Sequence, residues 1–228
     1  MKKAKKILAL LLCAVLLIGA SVAGTLAYLT FQTNEVTNTF TIGKVDLGDQ
    51  YNSGLDEADV NEYGEKLYVS GGSLVTEAEL ADGEARVLAP RVKENGYKLI
   101  PGHSYTKDPQ IHILKGSEPC YLFVKVENGI KDIEDGTTIA AQMATNGWQQ
   151  LTVDSTDIEN VFYQEDPVDA RDAQKDVDVF GSFTLKNDAN VAGYENAEIT
   201  IVAYAIQADG FNSAAEAWST APTTWSVP

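Results

Sequence analysis

Cysteine, histidine and basic side chains are all scarce in this chain, and each shortage closes off a class of function. Of the two cysteines, Cys13 lies in an apolar N-terminal run, so Cys120 has no partner in the remainder and no internal disulfide is available. A domain of this kind is held by its core packing. Cys120 alternates with Leu122, Val124 and Val126, the spacing of a small buried hydrophobe rather than a nucleophile. Basic residues number 17 against 33 acidic ones. So acidic a surface repels phosphate backbones and anionic membranes, which excludes nucleic-acid binding.

The two histidines, His103 and His112, limit metal chemistry. A zinc hydrolase needs three protein ligands, usually two histidines a helical turn apart with a glutamate nearby. His103 follows Pro101-Gly102, a turn dipeptide, and His112 falls in an expected strand, on the opposite face from Ile111 and Ile113 and hence toward solvent. A zinc site here would have to be built from carboxylates. No Gly-x-Ser-x-Gly elbow is present. Asp172, Asp176 and Asp178 lack the glycine-pinned loop of a calcium site and read as a solvated acidic loop. These observations predict no catalytic residue, no metal site and no cofactor.

What is present begins with an export address. Lys2, Lys3, Lys5 and Lys6 precede the apolar run Ile7 to Ile18, and Thr25-Leu26-Ala27 places small residues where a signal peptidase reads. Cleavage is expected between Ala27 and Tyr28. It removes 27 of the 228 residues and leaves 201; it also takes four basic residues and no acidic one, leaving 13 against 33, a formal charge of −20. The competing reading is an uncleaved anchor, since Ile7 to Thr30 carries no charge and is long enough to span a bilayer. Its second half is small and weakly apolar, which favours cleavage. The membrane is then touched only through this segment before removal, and the expected location is extracellular or at the cell surface. No sorting motif is recognised after Trp218.

The remainder reads as strands. Val36 to Ile42 alternates β-branched residues, and the apolar parity shifts across Gly43 to Val45 and Leu47, which predicts a bulge or break there. Residues 48–95 are acidic and punctuated by Gly71-Gly72, an expected insertion with a short helix over Leu74 to Leu80. Tyr105 to Leu114 is expected as one strand, with an edge position or bulge at Asp108-Pro109. Cys120 to Glu127, Trp148 to Thr152, Val161 to Gln164 and Phe180 to Leu185 follow as strands. Ala197 to Ala208 is apolar on both parities, as a doubly covered central strand should be. Ser213 to Trp218 predicts a short C-terminal helix. The expected organisation is a signal peptide (1–27), an all-β, jelly-roll-like β-sandwich (28–209) with its insertion, and a helix and tail (210–228). The aromatics Tyr51, Tyr63, Tyr68, Tyr97, Tyr105, Trp148 and Trp225 read as ordinary strand packing rather than a carbohydrate platform.

Gly24-Thr25-Leu26-Ala27-Tyr28-Leu29-Thr30 resembles the cleavage region read by the SipW-type signal peptidase of Gram-positive bacteria. Val36 to Asp46, Pro101 to Pro109, Tyr121 to Val126 and Ala203 to Phe211 resemble, in that order, the camelysin/TasA family. The resemblance spans most of the mature chain except about 48–95 and 165–195, and the acidic insertion and tail depart from the family pattern. It implies a jelly-roll-like sandwich and an extracellular, fibre-forming protein of the biofilm matrix. An N-terminal strand of one subunit would complete the sheet of the next, with self-association or other matrix proteins as partners. The candidate donor segment is Tyr28 to Leu47, with Val36, Phe40 and Ile42 as candidate donor residues, and an intramolecular strand is the alternative for the same segment. Camelysin-like members also imply a secreted metallopeptidase as a second reading. A surface adhesion module for polysaccharide or host protein is a third.

Overall fold

The computed structural model describes residues 30–32, 45, 47, 48 and 54–221. Its largest sheet is organised by β7 (Ser117–Asn128), whose side chains alternate between two apolar layers. Cys120, Leu122, Val124 and Val126 enter the main core, while Tyr121 and Phe123 enter a second core on the opposite face. This is the period-2 alternation of a strand covered on both sides. The antiparallel neighbour β13 (Ile199–Gln207) pairs with β7 from Ile199↔Asn128 to Gln207↔Cys120 and divides its side chains the same way. Ala203 and Ala205 face the main core; Tyr204 and Ile206 face the second. The doubly covered strand expected from its two-sided apolarity is therefore present.

The strand order of this sheet is β1 (Thr30–Gln32), β13, β7, β9 (Thr156–Gln164) and β8 (Trp148–Val153), with β10 (Val168–Ala170) also on β7. The β8–β9 hairpin closes through Asp154 and Ser155, both at positive φ (50° and 63°), the backbone of a type I′ turn that matches the strand twist. Against the main-core face pack two smaller sheets. One is β11 (Lys175–Asp178), β6 (Gln110–Ile113) and β2 (Leu55–Asp56); the other is β12 (Ser182–Thr184) with β5 (Ser104–Thr106). Ile111, Ile113, Tyr105 and Phe183 meet the β7 side chains in this layer. The result is a β-sandwich-like, mostly β fold.

Two helices are found among the described residues. Helix α1 (Ile139–Thr145) was not anticipated; Thr138 Oγ1 caps it from Ala141 N, and Ile139 and Met143 plug the main core. Helix α2 (Ala214–Trp218), the expected C-terminal helix, is capped by Ser213 and covers the second core, with Trp218 against Phe123 at 5.0 Å.

Two expectations are corrected. Tyr105 to Leu114 is not one strand: the chain leaves one small sheet after Thr106 and enters another at Gln110, because Pro109 lacks the N–H a continuous ladder needs. Leu74 to Leu80 is not a helix. Ser73–Thr76 is strand β4, paired with β3 (Leu67–Ser70) across Gly71-Gly72, and only Glu77–Glu79 make a 3-10 turn. The β-branched Val75 and Thr76 favour the hairpin. The acidic stretch is closed on itself by the Glu57↔Val92 bridge and tied to the sandwich at β2 and at Gly64, whose carbonyl accepts from Thr106 N. Gly64 has φ +75°, and a Cβ there would stand 2.7 Å from Tyr105 Cα, so glycine alone allows the loop to cross β5 this closely.

Candidate functional site

Two places concentrate unusual features: the β1/β13 edge and a polar network on the small sheets. At the edge, Thr30, Phe31 and Gln32 pair antiparallel with Ile206, Ala205 and Tyr204. Part of the expected donor segment thus lies on β13 within its own chain. Val36, Phe40 and Ile42, with the cleavage pair Ala27 and Tyr28, fall outside the described residues. Further along, Val45 and Leu47 are both buried in the main core, and Leu47 bridges to Ile113. The shared face inferred for them is the one they use.

The polar network begins with β2, whose alternation sends Leu55 toward the core and Asp56 to the opposite face. Asp56 is buried (side chain 2 % exposed), and its Oδ1 receives Arg91 Nε and His112 Nε2, the latter at 3.0 Å. His112 Nδ1 stands 2.7 Å from Asp176 Oδ1 on β11. His112 is therefore not the solvent-facing residue expected. Its side chain is 12 % exposed and sits between two carboxylates, a juxtaposition invisible in sequence because Asp56 and Asp176 are both remote from it. Burial pushes the imidazole toward its neutral form, but hydrogen bonds to Asp176 and Asp56 and their negative charges outweigh it, so its pKa rises above 6.5. Asp176 moves the other way. Burial opposes ionisation, yet the hydrogen bonds from His112 and Gln174 and the charges of His112 and Arg91 hold its carboxyl below the usual range.

Arg91 Nη2 also donates to the carbonyls of Asp56 (3.1 Å) and Asp108 (2.7 Å), fastening the 89–95 segment over the sheet. On the core-facing parity, Lys107 Nζ donates to Glu57 Oε2 at 2.6 Å, and Asn95 Nδ2 to Glu57 Oε1 at 2.8 Å. These residues border a cleft of about 600 Å³ between residues 93–97 and 194–201. The residues Asp56, Glu57, Arg91 and Lys107 were missed in sequence, where they read as solvated charge. The one available signal was Leu55-Asp56-Glu57-Ala58, a strand-like phase inside an acidic stretch.

The remaining candidates do not converge. His103 Nε2 contacts Tyr63 O at 2.9 Å, away from the His112 cluster. Asp176 and Asp178 lie on strand β11 rather than in the solvated loop expected, and Asp178 Oδ1 accepts from Gln110 Nε2 at 2.7 Å. Among the described residues no group of three or more His, Cys, Asp or Glu is placed to hold a metal ion. Tyr105 stacks on Phe183 at 4.7 Å with Tyr97 edge-on to both, and Trp148 Nε1 donates to Asp178 O; Tyr105 and Trp148 are buried, Tyr97 is half-buried and Tyr63 exposed, while Tyr51 and Trp225 fall outside the described residues. Cys120 is buried, and burial pushes its thiol up to about 12. No described helix is long and apolar enough to cross a membrane. No protein-family model, curated protein or solved structure matches the chain.

Proposed function

We propose that this is an extracellular structural protein of the bacterial cell surface or biofilm matrix, assembling when the N-terminal strand of one copy adds to a sheet edge of another. The observation that carries this reading is β1. Three residues, Thr30–Gln32, lie on the edge of a nine-residue strand, β13, two positions beyond the Tyr28 at which the mature chain is expected to begin. A short strand at a chain terminus is held by few pairs. The ladder it makes with its own β13 is chemically the same as the ladder it would make with a neighbour's. Exchange therefore conserves main-chain hydrogen bonds, as in strand addition and domain swapping. Edge strands are where sheet proteins recruit further strands. The resemblance of the cleavage region and of the strands around 121–126 and 203–211 to the camelysin/TasA family points the same way.

The test is deletion of Tyr28 to Glu35, with filaments sought by electron microscopy. Loss of filaments in a variant that keeps its β-rich circular dichroism is the expected outcome. Polymerisation equal to that of the intact mature chain removes these residues from the donor role.

A further inference from the structure

We propose that His112 is a proton-operated clasp, tying both flanking strands of the β11–β6–β2 sheet to β6 in mildly acidic surroundings and releasing one of them as the pH rises. Both imidazole nitrogens face carboxylate oxygens, Asp176 Oδ1 on β11 and Asp56 Oδ1 on β2. An ionised carboxylate only accepts, so both contacts are hydrogen bonds only when both nitrogens carry protons. A neutral ring has one N–H. Whichever nitrogen loses its proton then turns a lone pair toward a carboxylate at 2.7 or 3.0 Å, and that strand exchanges a tie for a repulsion.

From β11, Asp176 also accepts from Gln174, while the neighbouring Asp178 is taken by Gln110. From β2, Asp56 is shared with Arg91, which reaches in from the 89–95 segment and also anchors to the Asp108 carbonyl. Arg91 keeps Asp56 Oδ1 partnered whichever imidazole nitrogen carries the proton. The clasp acts on top of a backbone ladder of four residue pairs to β11 and two to β2. These are short strands, for which one side-chain tie is a large share of the hold. The sign follows from the raised imidazole pKa. The tie is fully present below about 6.5, the ordinary histidine value, and is lost as the pH climbs through the raised one. At the acid end, Asp176 releases only as the pH falls through its lowered value.

Deuterium exchange at the imidazole, read by mass spectrometry across pH, reports the His112 midpoint. Amide exchange in the same samples reports the protection of residues 54–57 and 175–178. The expected result is a midpoint above 6.5 with protection factors in at least one of the two strands falling about tenfold across it, the loss of one charge-assisted hydrogen bond. In His112→Gln that fall disappears. Asp176→Asn, at a side chain 45 % exposed and so tolerant of exchange, lowers the midpoint and supplies the test should the Gln variant fail to fold. A midpoint at or below 6.5 overturns the clasp. So do protection factors that stay level across the midpoint, a fall that persists in His112→Gln, and a midpoint unmoved in Asp176→Asn.

Discussion

A buried ion pair shows how a single residue can matter more than its neighbours in sequence suggest. Lys107 and Glu57 lie fifty positions apart, their side chains 9 % and 4 % exposed, with Asn95 on the second glutamate oxygen. Removing one charge strands the other away from water, so Lys107→Ala is expected to cost about 3–5 kcal/mol by urea unfolding. The double replacement Lys107→Met with Glu57→Gln, which keeps an acceptor for Asn95, is expected to recover most of that loss. A single variant as stable as the parent would mean that the pair is solvated. Neither residue is legible in sequence, because a lysine beside Asp108-Pro109 and a glutamate in an acidic stretch look like surface. Cys120 is the opposite case: its place in the Cys120-Tyr121-Leu122 alternation announces its burial.

At the scale of elements, strands with clean two-residue alternation were legible and short ones decided by contact were not. β7 and β13 fall where their apolar patterns put them, and β8 and α2 fall on the stretches expected for them. β11, Lys175–Asp178, offers three charged residues and one valine, so nothing marks it as a strand until β6 provides a ladder. Helix α1 buries only Ile139 and Met143, a single i, i+4 pair that marks no period in sequence. Its placement depends on Gln142, whose Oε1 accepts from Gly181 N and Ser182 N at 3.1 Å while Nε2 donates to Ser182 O at 2.7 Å. The amide thus ties α1 to the start of β12. Gln142→Ala is expected to destabilise by about 1–3 kcal/mol, a fall of several degrees in thermal midpoint by calorimetry. A loss smaller than about 0.5 kcal/mol, the low end for one hydrogen bond, would assign the anchoring of α1 to Ile139 and Met143 instead.

For the whole molecule, charge opposes the proposed assembly. The full chain carries a formal charge of −16, and −20 if the expected leader is removed, so copies of one chain repel before any strand can be exchanged. Raising ionic strength from about 0.01 M to about 0.15 M shortens the screening length from about 30 Å to about 8 Å. Self-association followed by light scattering is therefore expected to accelerate over that range. A rate that stays level or drops would place the barrier in releasing β1 from β13 rather than in bringing acidic surfaces together.

Period, parity and composition are local properties, and they were enough to indicate a mostly β, sandwich-like fold, two-sided burial of β13 and a short closing helix. Which charges share a buried site was settled only by the sheet. Register brings Asp176 opposite His112 and sets Asp56 beside it, across chain separations of 64 and 56 residues. No local pattern encodes such pairings, because burial costs and Coulomb energies depend on the distances that folding creates.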